Sequence, residues 1–406
     1  MTDGTTNGPG SYRSAAGVTT YRRARNIVGC HMPSAEKIVE LPLLAEAVHE
    51  PDVVARFEIR YSRFLDPKGN ALRPLPDFAA GPAELVALYR GMVLARAFDA
   101  KAIALQRTGR LGTFPSALGQ EAVAVGIAGA MRKEDVFLPS FREHGAQLWR
   151  GVSLVELFLF WGGDERGSDF AGPREDFPIC VPVGTHAPHA VGVALAFKLR
   201  REARVAVCAF GDGATSKGDV AEALNMAGVW QLPLVFVINN NHWAISVPVA
   251  QQTAAATLAQ KAVAAGIEGE QVDGNDVIAV REAVGRAVAK ARAGGGPTLI
   301  EALTYRLSDH TTADDARRYR SDADVSPHWA EDPITRLRNH LVGRGIWAKA
   351  DEERLLAEVS AAIDKAADTY LATPPQGAET IFDFTYETLP KDLAEQRRAA
   401  SGAEPE

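Results

Sequence analysis

Two continuously apolar runs constrain this chain more than any other feature: VAVCAF at 205–210 and LVFVIN at 234–239. Neither alternates apolar with polar residues, so neither suits a strand with one wet face. Runs of this length bounded by turn residues fit strands covered on both sides, the habit of parallel sheets. The stretch between them, DVAEALNMAGVW, carries apolar residues at helical spacing. PTLIEALT at 297–304 is a third such run, and further helical patterns occupy 83–107, 118–131, 153–161, 276–293 and 351–371. PHAVGVALAFKLRRE starts a helix at Pro188 and ends it in basic residues. Strands alternating with helices predict an α/β fold, a parallel sheet with helices on both faces plus terminal arms.

With 406 residues, the chain can hold one large domain of this kind. Breaks rich in Pro and Gly near 64–82, 163–178 and 294–297 read as loops within it. The expected organisation is an N-terminal arm over 1–50, an extended lead-in over 51–82, the domain over 83–375, and a C-terminal arm and tail over 376–406. A net charge of −7 gives no reason to expect nucleic acid or an anionic membrane as partner. No apolar run reaches the ~20 residues that span a bilayer. Three widely spaced cysteines form neither a disulfide framework nor a metal motif, and Cys208, inside an apolar run, reads as a core thiol. Between Asp3 and Glu36 there is no acidic residue, yet Arg13, Arg22, Arg23 and Arg25 are present. That suits a flexible bacterial arm, hence a cytoplasmic protein; a mitochondrial transit peptide is the alternative.

Chemistry is expected where the first two runs end, in Gly211-Asp212-Gly213 and Asn239-Asn240-Asn241. Open parallel sheets bind ligands beyond the carboxyl ends of their strands. The glycines permit a sharp turn and close approach of backbone to ligand, and the next helix aims its first amides at an anion. Asp212 would repel that anion unless a cation lay between them. Magnesium, which bridges carboxylates to phosphates, resolves the conflict, and the Asn241 amide oxygen can serve as a second ligand. Two other motifs lie close. GDGATS lacks the third glycine of the dinucleotide fingerprint and the later acidic residue. ATSKG approaches a nucleophile elbow, but Ser216 comes well after the strand end. A capped tight turn with polar strand ends is the plain structural alternative.

GDG followed by NN resembles the thiamin-diphosphate-binding motif. Over about 85–395 the chain is similar to the α subunits of the decarboxylating first component of 2-oxoacid dehydrogenase complexes. GQEA (119–122), PSFREHG (139–145), VDGND (272–276), TYRLSDHTTADDARRYR (304–320) and DPITRLRNHL (332–341) carry the likeness. The resemblance implies Mg²⁺ held by Asp212, Asn241 and the carbonyl of Trp243, with the turn Gly211, Asp212, Gly213 and Ala214 against thiamin diphosphate. It implies Arg142 on the diphosphate, Val183 beneath the cofactor, and His310 reaching the cofactor and assisting acyl transfer. Phe141 stands where relatives often have Tyr, and Asn239 where some have Arg. Arg306, Tyr319 and Arg320 are expected to anchor the loop of His310, Glu121 to brace a buried loop, and His144, His186 and His189 to have structural roles. Thr311 replaces the Ser phosphorylated in mitochondrial relatives. Phe114 borders the substrate or packs in the core.

In that family the catalytic Glu comes from a second homologous domain, which this chain lacks room for. The resemblance therefore implies a β subunit supplying the pyrimidine-side domain and the Glu in an α2β2 assembly. It also implies a lipoyl domain of the acyltransferase component as acyl acceptor and a small 2-oxoacid as substrate. Pyruvate is the first expectation, branched-chain 2-oxoacids the alternative, and acetoin a more distant option. Outside the class, an NAD-dependent oxidoreductase, a serine hydrolase using Ser216 and a non-catalytic assembly subunit are the rivals.

Overall fold

A computed structural model describes residues 53–383 and 385–402. Its centre is a six-stranded, wholly parallel sheet. In chain order the strands are β1 (Arg60–Ser62), β2 (Val136–Leu138), β3 (Ala206–Gly211) and β4 (Leu234–Asn240). A two-stranded hairpin, β5 (Trp243–Ala244) and β6 (Val247–Pro248), precedes β7 (Glu268–Asp273) and β8 (Thr298–Leu303). The sheet runs β1-β7-β8-β4-β3-β2.

Side chains of the two apolar runs divide between the faces with the period of two that a strand imposes. Ala206, Cys208, Phe210, Phe236 and Ile238 join one core, with the helices His186–Arg200 and Gly218–Val229. Val205, Val207, Ala209, Val235 and Val237 join the other, with the helices Glu121–Ala130 and Val277–Arg292. A third apolar cluster lies outside this second layer, where Pro82–Arg107 packs with Leu154–Trp161, Pro333–Gly343 and Lys349–Ala372. Cys208 is a buried free thiol.

Half of the sheet departs from expectation. The strands β3, β4 and β8 fall within a residue of the apolar runs, whereas β1, β2 and β7 carry no such signal. β2 is only three residues long. β7 reads EGEQVD and is largely half-exposed, its Glu268 and Glu270 paired with Lys290 and Arg286. β1 comes from the segment expected to be a lead-in and forms the sheet edge beside β7. It is tied down by Asp276, whose carboxylate accepts the Phe64 and Leu65 amides at 2.7 Å and also caps the helix Val277–Arg292. The helix expected to open at Pro188 begins at His186. Pro188 sits in its first turn, where a missing N–H breaks no helical bond. In the C-terminal arm, Lys391–Ala400 forms a further helix. The arm expected over 1–50 lies outside the described residues.

In-register pairing carries Gly211 beside Asn239 and Asn240 beside Leu303, so β3, β4 and β8 end at one level. This is where the polar clusters meet.

Candidate functional site

Beyond those strand ends lies a cavity of about 500 Å³, lined by Phe141, Arg142, Val183, Asn241, Trp243 and His310 together with Gly211, Asp212, Gly213 and Ala214. Every residue expected at the cofactor or metal thus faces one space. The turn Asp212–Ser216 is a tight helical turn pressed on the hairpin. A β-carbon on Gly213 would stand 2.7 Å from that of Ala244, so only glycine permits this approach. Ser216 is exposed and outside the lining.

Asp212 is buried, and burial raises its carboxyl above the ordinary range despite a bond from Gln252 Nε2 at 2.7 Å. Asn241 Oδ1 accepts the Trp243 amide at 3.2 Å, and the Trp243 carbonyl accepts Arg306 at 3.3 Å. These three oxygens, carboxylate, amide and carbonyl, are hard donors suited to magnesium. Among the described residues no group of three His, Cys, Asp or Glu could hold a metal, so a cation here relies on such a mixed set.

Arg142 is also buried. Its terminal nitrogens donate to the Ser116 carbonyl at 2.5 Å and the His310 carbonyl at 2.6 Å. Desolvation, then the neighbouring Arg306, lower its guanidinium to about 10. Arg306 donates to the Ile245 carbonyl and the Tyr319 hydroxyl at 2.7 and 2.8 Å. Neither guanidinium has a carboxylate partner among the described residues. Two buried cations beside a poorly paired carboxylate are costly alone, and an anion with a divalent cation would complete both. Lining residues Asn239 and Gln120 each leave one buried polar atom, Oδ1 and Nε2, without a partner. The site thus fits a metal-bound diphosphate.

His310 Nδ1 lies 2.9 Å from Arg142 and 3.3 Å from Arg306. Guanidinium groups only donate, so Nδ1 accepts and the imidazole proton belongs on Nε2. Burial, followed by Arg142 and Arg306, lowers the ring to about 4, so it is neutral at pH 7. The loop around it is fastened from within. Arg320 donates to the Arg306 and Ser308 carbonyls, and Asp314 accepts the His310 amide at 2.9 Å and the Tyr319 hydroxyl at 2.5 Å. Arg306 also holds the carbonyl of Ile245, which adopts φ +56°, an unfavourable conformation for a β-branched residue.

The remaining candidates, Thr311 excepted, fall outside the cavity wall. Phe114 packs in the core between Phe98, His144 and Trp161. His144 accepts from Trp161 Nε1 at 2.8 Å, and burial lowers it to about 3. His186 bonds the Ala209 carbonyl, and Glu121 takes Arg96 and the Gly119 amide. His242 adopts φ +70° in the turn before the hairpin. Thr311 lines the cavity. Sequence reasoning missed Gln252, Glu143, Trp161 and Gln120 as site residues. Gln120 and Glu143 lie inside the motifs GQEA and PSFREHG, whereas Gln252 and Trp161 carry no local signal.

The chain matches the family model described as dehydrogenase E1 component over residues 89–379. It is 43% identical over 311 residues to a Mycobacterium tuberculosis 3-methyl-2-oxobutanoate dehydrogenase subunit alpha, covering 76% of this chain and 84% of that one. It is 40% identical over 352 residues to a Staphylococcus aureus pyruvate dehydrogenase E1 component subunit alpha, covering 85% and 93%. With that match spanning most of the domain that carries the cavity, the chain belongs to the dehydrogenase E1 component family, as an α subunit of a 2-oxoacid dehydrogenase.

Proposed function

We propose that this chain is the diphosphate-side half of a thiamin-diphosphate-dependent 2-oxoacid dehydrogenase, with Asp212, Asn241 and the Trp243 carbonyl holding Mg²⁺. The observation that carries the reading is the coexistence of buried Arg142 and Asp212 in the lining of one cavity, with buried Arg306 against His310, none of the three paired with another. When bound, thiamin diphosphate supplies a sink for the electron pair released as the 2-oxoacid loses CO₂. The protein's part is to bind, orient and exclude water. Arg142 positions the diphosphate, with its fork suited to phosphate oxygens. The turn Gly211–Ala214 offers backbone at close range, and Val183 and Phe141 form apolar walls. His310, with Nδ1 engaged by two guanidiniums, presents Nε2–H as a donor and assists transfer of the acyl group to a lipoyl domain.

The shape of the site supports a partnership. Val183 is 44% exposed and Ile245 55%, although both line the cavity. That open apolar edge supports closure by a β subunit, which would add the pyrimidine-side wall and the catalytic Glu in an α2β2 assembly. The bacterial relatives favour a cytoplasmic location, and no helix among the described residues is long and apolar enough to cross a membrane.

Pyruvate is the substrate proposed first, supported by the GQEA and SFREHG segments. The Mycobacterium tuberculosis relative, at 43%, supports the second reading, a branched-chain 2-oxoacid. Decarboxylation by the chain co-expressed with its β partner, assayed with pyruvate and with 3-methyl-2-oxobutanoate, tests both. Higher kcat/KM for pyruvate supports the first reading and the reverse order the second. Turnover of neither by a properly assembled pair would contradict the proposal.

A further inference from the structure

Behind the anion end of the cavity lies a carboxylate that neither the metal site nor the histidine uses. Asp99, on the helix Pro82–Arg107, is 4% exposed. It accepts the Ser116 hydroxyl and, at 3.0 Å, the Ala117 amide. The Ser116 hydroxyl takes the Leu118 amide at 3.2 Å as well. These bonds fix the loop whose Thr113 and Pro115 line the cavity and whose Ser116 carbonyl receives Arg142. The same loop is paired with the loop of His310 through Phe114 and Thr312, each amide bonded to the other residue at 2.9–3.0 Å. A continuous path therefore runs from Asp99 through Ser116 to Arg142 and His310.

We propose that Asp99 is a positioning residue for the diphosphate site, holding the loop that aims Arg142, and that it takes up a proton when the diphosphate arrives. The inference rests on the thiamin-diphosphate reading above. Asp99 is a buried negative charge whose nearby cation is Arg142; Glu121 opposes it but is itself paired with Arg96. His144, on the adjoining helix, is kept neutral by burial. Burial, only partly offset by the Ser116 and Ala117 bonds, pushes Asp99 up to about 7, so it is part-protonated at neutral pH. A diphosphate beside Arg142 spends the positive field that stabilises the Asp99 carboxylate. The carboxyl must then shift further upward and bind a proton from solvent.

The test is calorimetric titration of thiamin diphosphate with Mg²⁺ into the chain co-expressed with its β partner, at pH 7, in buffers of different ionisation enthalpy. The slope of heat against ionisation enthalpy counts protons. Wild type should take up on the order of half a proton more than Asp99→Asn, with other titrating groups common to both. Ser116→Ala keeps the carboxylate but removes a bond that lowers it, so its uptake maximum should move to higher pH. Equal proton counts in wild type and Asp99→Asn, or an unmoved maximum in Ser116→Ala, would overturn the proposal while leaving the cofactor site standing. No binding by wild type would overturn the cofactor reading and this inference together.

Discussion

The amino ends of the central sheet and the cavity beyond the ends of β3 and β4 treat buried charge in opposite ways. At the amino ends, Asp135 accepts the Arg132 and Val205 amides at 2.8 and 3.0 Å and Arg292 on both oxygens at 2.6 Å. Beside it, Arg150 pairs with Asp176 at 2.5 Å. At the cavity, Arg142 and Arg306 spend their donors on carbonyls, a hydroxyl and His310, and Asp212 takes the side-chain amide of Gln252 but no cation. The fold can saturate buried charges with partners, and at the amino ends it does so. The difference supports the proposal that the cavity is built for a ligand's charges, because leaving ions half-paired costs stability without a bound partner.

Exchanging the two behaviours gives the largest expected effects. Asp135→Ala strands Arg292 and should cost about 3–5 kcal/mol in denaturant unfolding. Asp212→Ala removes a poorly paired carboxylate and should leave unfolding midpoints unchanged or raised, yet lower magnesium-dependent cofactor affinity by at least about 100-fold. Similar stability losses in both variants would erase the contrast. Arg142→Lys keeps the charge but loses the fork, and titration should show affinity down by about 10–100-fold.

A smaller effect concerns His144, on the helix beside the cavity. Burial lowers its pKa, so its neutral form contributes stability that is full above about 6.5 and lost as pH falls from there toward about 3. His144→Gln should flatten the acid limb of unfolding by at most about 1.4 kcal/mol per pH unit across that window. Parallel limbs in the two proteins would contradict this assignment. Ser216→Ala, at an exposed position outside the cavity, should change stability by less than about 0.5 kcal/mol and leave turnover intact.

What could be read from the chain followed the same division. β3, β4 and β8 were legible because burial on both faces demands unbroken apolar residues. β7 was not, since its outer half faces water and its Glu residues satisfy lysine and arginine on the helix behind it. β1 and β2 are too short to show a period. The GDG and NN ends were legible because backbone geometry and metal chemistry restrict which residues can stand there. Gln252, Asp99 and Trp161 were not, because each reaches the site across the fold from an element with no motif of its own. The fixed tautomer of His310 likewise depends on two guanidiniums that only the folded chain brings together.

In the proposed site, Asp212 and the two buried guanidiniums are completed by a magnesium-bound diphosphate. Titration of thiamin diphosphate into the chain assembled with its β partner, with and without Mg²⁺, in wild type and Asp212→Ala, tests it directly. Saturable binding that requires magnesium and disappears in the variant is expected. Binding of equal strength without the metal, or undiminished in Asp212→Ala, would contradict it.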